Sequence, residues 1–453
     1  MADKTMVRDL TSGNPLKQLL TFALPFVFAN LLQQAYNMAD MIIVGQFVGS
    51  AGLTAASNGG EIATFFLFVS LGFASAGQII ISQHIGAGNK ERLSHTIGTL
   101  FTFGFYLSAA MTILSLIICD WGLGLLNIPA EAQEYAHDYA FVYFCGMIPV
   151  FGYNMVSSIL RGMGDSKRPF VFIAISAILN IILDLLFVGV FKMSCFGAAL
   201  ATVISQSTSF IVSIIYLYKN KEAFGFDFKR SSFRIYMEEL RPIVKMGLPL
   251  SVQSVAVSAS MLVLNSLING YGVIAAAVTA VGNKITMLAT IITQAMNTAG
   301  NSIVAQSFAA KKMKRVSTTL GCILGVSMVF CLFLGALVAI FPEQIFAIFD
   351  KDPEVLALSH PYVIYCVIGL IGFATRAASF SLVNGIGFSR FAFIAGLADG
   401  IIARIGFSYL FGVTMGMGIE GFWLGGAIAG NVIGVITLFY YLSGKWKTRQ
   451  LLV

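Results

Sequence analysis

Two carboxylates, a carboxamide and a hydroxyl stand out within the apolar stretches of this chain: Asp40, Asp184, Asn180 and Thr202. Asn180 and Asp184 are four residues apart, so a helix places both on one face. Asp40 ends a stripe with Asn30, Gln33 and Asn37, at steps of three and four that also keep to one helical face. Polar groups of this kind are costly inside a hydrocarbon layer and therefore mark function. Hard oxygen donors suit a small hard cation such as Na⁺. Two close carboxylates can instead share a proton, because like charges resist full ionisation at low dielectric. The residues alone leave both chemistries open. They require that the helices carrying Asp40, the Asn180/Asp184 pair and Thr202 be neighbours, with the four groups at one depth.

The elements that must do this positioning are membrane helices. Hydrophobic residues make up 57% of the 453-residue chain, charged residues 11%, and mean hydropathy is +0.84. No soluble fold of this size hides so much apolar surface. Apolar runs predict twelve helices over 16–44, 52–84, 93–119, 135–160, 169–191, 196–218, 241–269, 274–307, 316–341, 357–384, 391–412 and 419–442. The runs are too long and too uniformly apolar for barrel strands. With the N-terminus placed in the cytoplasm, nearly all of the 28 Lys and Arg fall in inner loops and tails. Only Lys192 and Lys351 fall outside, and Lys284, Arg376 and Arg404 lie deep in spans. This one-sided pattern predicts cytoplasmic termini and explains the net charge of +7 without any nucleic-acid partner.

The twelve helices are two copies of one unit. Ala76/Ala299, Gly77/Gly300, Ile80/Ile303, Gln83/Gln306, Ala87/Ala310 and Arg92/Arg315 are identical at one constant offset. Arg161-Gly-Met-Gly-Asp-Ser-Lys167 aligns with Asn384-Gly-Ile-Gly-Phe-Ser-Arg390 at the same spacing. The predicted architecture is an all-α polytopic membrane protein with two pseudo-symmetric six-helix bundles. Its divisions are a polar N-terminal segment 1–14 without a signal-peptide core, a first lobe 15–218, a linker 219–240, a second lobe 241–442 and a tail 443–453. Parallel repeats of this kind point to a transporter with a cavity between its halves.

The second half lacks acids at the positions matching Asp40 and Asp184. It offers uncharged groups instead, with Asn265, Asn283, Thr286, Thr290 and Asn297 as candidate lining of a wet cavity. Arg376, Asp399 and Arg404 read as a salt bridge inside that bundle. Pro25 and Pro249 occupy nearly matching places in the first helix of each half. Each removes a backbone hydrogen bond, and Pro25 reads as a hinge that carries Asp40. The six cysteines make no CxxC pair, the four histidines are dispersed, and no metal cluster or catalytic Ser-His pair emerges. Gly86-Ala87-Gly88-Asn89 lacks the strand–loop–helix setting of a phosphate loop. These readings argue against an enzyme and imply no cofactor and no metal beyond Na⁺.

From about residue 15 to 445 the chain resembles the multidrug and toxic compound extrusion (MATE) family. The resemblance rests on the two six-helix halves, on LPFVFANLLQQAYNMADMIIVG with Pro25 and Asp40, on the RGMGDSKRP loop and on LNIILD ending at Asp184. Within the family it is most similar to the bacterial DinF-like branch. The resemblance implies export of amphipathic or cationic organic compounds in exchange for Na⁺ or H⁺, by alternating access, from a monomer in the bacterial cytoplasmic membrane. It implies a cation site at Asp40, Asn180, Asp184 and Thr202, with Tyr139 and Asn154 as polar neighbours beside Gln33, Gln34 and Asn37. A flippase for lipid-linked saccharides is the alternative reading, and an intramembrane enzyme or a receptor comes third.

Overall fold

The computed structural model describes residues 6–126 and 128–453, and among them there is no β-strand. Its long helices are α1 (Pro15–Phe47), α2 (Ser50–Ala87), α3 (Lys90–Leu125), α4 (Ala130–Cys145), α5 (Met147–Gly162), α6 (Lys167–Val190) and α7 (Ser194–Lys219). The second half supplies α8 (Met237–Asn269), α9 (Val273–Ala309), α10 (Met313–Ile340), α11 (Pro353–Gly385), α12 (Ser389–Thr414) and α13 (Ile419–Leu442). Eleven of these described helices are long and apolar enough to cross a membrane.

The expected span 135–160 is not one straight helix. It is the pair α4 and α5, which bend by 52° at Gly146. Pro149 cannot donate back to Cys145, so the ladder is already interrupted there. Gly146 also approaches α7 so closely that a Cβ would lie 2.4 Å from Val203. Taken as one span, the pair brings the number to twelve.

Contacts divide the chain into two compact units, each described here by itself. The first is built mainly from Leu24–Ser251, and the second from Leu10–Ala23 with Val252–Leu452. The two boundaries that end these main segments at Leu24 and Ser251 fall inside helices, each within two residues of a proline: Pro25 in α1 and Pro249 in α8. α1 runs unbroken through Pro25.

The strongest repeat identities now have a structural reason. In the first unit, Arg92 at the start of α3 donates to Glu239 at 2.7 Å, and Glu239 opens α8. His84 and Thr96 hold the other Glu239 oxygen at 3.0 and 2.9 Å, and that carboxylate is 2% exposed. In the second unit the matched Arg315 donates to the carbonyls of Leu10, Ser12 and Gly13 and to Gln18, around the start of α1. The matched Gln306 accepts from the Leu10 N–H at 3.0 Å. Each copy of the motif therefore anchors the leading end of the other half's first helix.

The Arg161–Lys167 loop is likewise structural. Gly164 and its repeat partner Gly387 both take left-handed backbone (φ +86° and +76°), which favours glycine. Asp165, buried, caps α6 by accepting from the N–H groups of Lys167 and Arg168 and pairs with the Arg168 side chain.

Candidate cation site and a second polar cluster

α6 and α7 pack against each other and bring the first candidate residues together. Asn180 Nδ2 donates to Thr202 Oγ1 at 3.4 Å, and the same hydroxyl donates to the Ala198 carbonyl at 3.1 Å. Asn180 and Asp184 are 2% and 0% exposed. Directly after Asp184 the helix widens into a π-helical segment, Leu185–Val190. Such turns are frequent at functional sites.

Asp40 on α1 is half-buried, and its charge acts on Asp184. Tyr139 on α4 lies within electrostatic reach of both carboxylates and of Tyr36 and Tyr143. Gly59 on α2 allows this, because a Cβ there would meet the Tyr139 ring at 3.0 Å. Gln33 hydrogen-bonds Tyr36 along the same helix. Gln34 is half-buried and Asn37 exposed on α1, and Asn154 is half-buried on α5. Tyr36, 8% exposed, and Tyr143 are members that the sequence reading passed over. Their spacing from Asp40 and Tyr139, four residues in each case, was the available signal.

The group is rich in unsatisfied acceptors. Asp40 Oδ1, Asn180 Oδ1 and both carboxylate oxygens of Asp184 are buried with no hydrogen-bond partner. A buried acceptor without a partner costs about 1–3 kcal/mol. Such oxygens, three on one face of α6 and one on Asp40 within electrostatic reach of Asp184, are hard donors of the kind that suit a small cation or a proton.

The second unit holds a different cluster. Asn265, Asn283 and Thr286 line a cavity of about 100 Å³, with Arg376, Arg404 and Trp423 on its other walls. Two other candidates spend their groups elsewhere: the Thr290 hydroxyl donates to the Thr286 carbonyl at 2.9 Å, and Asn297 Oδ1 accepts from Ser381 at 3.4 Å. Arg376 Nη2 lies 2.7 Å from Asp399 Oδ2, and Arg404 Nη2 lies 3.8 Å from Asp399 Oδ1.

Cys119, Asp120 and His137 come together at the ends of α3 and α4, with ligand atoms all within 4.8 Å of one another. The packing of α3 against α4 sets His137 beside Cys119, which linear spacing does not show.

Membrane-length helices in two repeated bundles, with polar groups kept inside them, define the class: a multi-pass helical transporter. The MatE family model matches residues 25–186 and 249–417, and the chain belongs to that family of multidrug efflux transporters. It is 28% identical over 443 residues to the probable multidrug resistance protein YpnP of Bacillus subtilis, covering 98% of each chain. It is 26% identical over 442 residues to the probable multidrug resistance protein YoeA of the same organism, covering 96% of this chain and 95% of that one. Among solved structures, an outward-facing multidrug resistance MATE transporter superposes with a TM-score of 0.89 at 24% identity, covering 97% of this chain and 98% of that one. A MATE transporter in its straight conformation gives 0.88 at 23% identity, covering 99% and 100%. At these identities the two structures establish the shared fold.

Proposed function

We propose that this transporter exports amphipathic or cationic organic compounds in exchange for Na⁺ or H⁺, and that Asp40, Asn180, Asp184 and Thr202 take the coupling ion. The observation that carries the reading is the set of four buried, unpartnered oxygens on Asp40, Asn180 and Asp184. The names of the relatives support drug export, since YpnP and YoeA are probable multidrug resistance proteins.

In this reading the termini are cytoplasmic and the protein sits in the bacterial cytoplasmic membrane as a monomer. The Asp40 and Asp184 carboxylates supply charge, and Asn180 and Thr202 supply neutral oxygen. For Na⁺, backbone carbonyls or water complete the shell. For H⁺, one carboxylate carries the proton and Tyr139 faces it. An ion drives export only if it binds the two access states unequally. Closing the first lobe around these oxygens is then the step that ion entry favours. Pro25, at the boundary of the two units, lets α1 adjust as Asp40 gains or loses its ion.

Transport in proteoliposomes tests this, with Na⁺ and pH gradients imposed one at a time. One gradient should drive uphill export of a cationic dye, and neither should do so in Asp40→Asn or Asp184→Asn. Uphill export at normal rates in both variants would remove the site from the mechanism.

A further inference from the structure

We propose that the cavity of the second lobe is a binding site for the carboxylate of a small aromatic acid, with Arg404 as its principal partner. The cavity walls carry two arginines, Arg376 and Arg404, and no carboxylate.

The two arginines differ in how well they are satisfied. Arg376 has a close charge partner in Asp399 at 2.7 Å. Arg404 has none so close: Asp399 is 3.8 Å away, Nη1 meets only the Met261 sulfur at 3.3 Å, and Nε has no partner. Its side chain is 6% exposed. A guanidinium carries five donors and stays charged, and a thioether is a weak acceptor. Leaving such a group buried with so few partners is among the costlier arrangements in a protein interior. The contact of Arg376 with Asp399 is a charge contact without hydrogen-bond alignment, so both Asp399 oxygens remain without a hydrogen-bonded partner as well. Two positive charges thus face one negative charge. The other nearby acid, Glu420, accepts from Tyr365 at 2.9 Å and does not line the cavity.

The backbone is shaped for this cluster. Residues 398–403 of α12 form a π-helical turn that contains Asp399 and ends next to Arg404. In a regular helix residues five apart point about 140° away from each other. A π turn closes i to i+5 and brings Arg404 toward Asp399. A second π turn in α12, Leu410–Thr414, has its counterpart at Leu185–Val190 in α6, nearly at the repeat offset. The turn at 398–403 has none, since α6 is regular over the matching residues. The second half carries an additional distortion where its charges gather.

The remaining walls define the body of the ligand. Trp423, Tyr365 and Phe373 supply ring faces, and Asn265 and Asn283 supply amide groups. The volume is of the order of the engineered ~150 Å³ cavity that binds benzene, which suits one aromatic ring.

The site rests on the export reading and deepens it by adding an acid-bearing cargo class, and its test needs no ion gradient. Equilibrium dialysis of radiolabelled benzoate against the purified full chain in lipid-free, non-ionic detergent measures it directly. Arg404→Gln should weaken benzoate by about tenfold or more, the expected loss for a hydrogen-bonded charge. Asp399→Asn, which removes the competing carboxylate, should tighten it. Asp40→Asn should still bind benzoate while losing uphill export, so failure of the coupling site and failure of this site are separable. The opposite signs at Arg404 and Asp399 distinguish recognition from simple unfolding. Equal binding in Arg404→Gln, or equal competition by neutral benzamide, would overturn the proposal. Displacement by inorganic phosphate or by phosphatidylglycerol at the same concentration would overturn it too, by assigning the site to inorganic anions or to lipid phosphate.

Discussion

The two lobes repeat a scaffold and diverge in chemistry. The first gathers unsatisfied acceptors, on Asp40, Asn180 and Asp184. The second sets two arginines, Arg376 and Arg404, against a single acid, Asp399, with the Arg404 Nε donor and both Asp399 oxygens left without hydrogen-bonded partners. Val263 and Phe407 stand at the repeat positions of Asp40 and Asp184. What the copies retain is the anchor at Arg92 and Arg315 and the left-handed glycines at 164 and 387. Duplication preserved the parts that hold helix ends in place and left the helix interiors free to take opposite charge.

The largest expected effect lies at the acids. Asp40→Asn or Asp184→Asn should reduce ion-driven efflux to background, as measured by dye export from cells. The matching change in the second lobe, Asp399→Asn, should leave a measurable fraction of ion-driven efflux. If Asp399→Asn abolishes it as completely, the lobes do not divide the labour as described.

Next comes the shared anchor. Glu239→Ala leaves His84 and Arg92 facing a vacated, buried carboxylate position and should cost about 2–3 kcal/mol of stability. Arg315→Ala loses bonds on the exposed side of its anchor, each worth about 1 kcal/mol or less, so its loss should be smaller. Thermal unfolding in detergent compares the two, and a larger loss for Arg315→Ala would reverse this ranking.

A smaller effect is expected at the neutral ligands. Asn180→Ala and Thr202→Ala should raise the ion concentration needed for half-maximal transport by about tenfold, equivalent to about 1.4 kcal/mol, with the maximal rate largely kept. Pro25→Ala should act more weakly still, slowing turnover about twofold to fivefold while leaving the fold and ion affinity intact. It restores at most one backbone hydrogen bond and removes no ligand. A wild-type rate in Pro25→Ala would show that α1 need not adjust there.

Much of this was legible in the sequence because membrane helices announce themselves by length, and Asn180 and Asp184 declare a shared face by spacing. The repeat was legible through Gln83/Gln306 and Arg92/Arg315, although what those residues hold was not, since their partners lie far along the chain. The break at Gly146 escaped because its cause includes the approach of Val203, a tertiary contact. The meeting of Cys119, Asp120 and His137 depends on how α3 and α4 pack. The π turn at Ala398–Ala403 escaped as well, because an apolar run reads alike whether its turns close at four residues or five.

The central claim, that oxygens of the first lobe take the coupling cation, is tested most directly by ion binding to the purified protein without any gradient. Radioactive Na⁺ binding and proton release on addition of substrate can be followed on the same preparation. The account predicts that the wild type shows one of these signals and that Asp40→Asn and Asp184→Asn each lose it. If both variants bind Na⁺ or release protons as the wild type does, the coupling ion sits elsewhere and the claim is wrong.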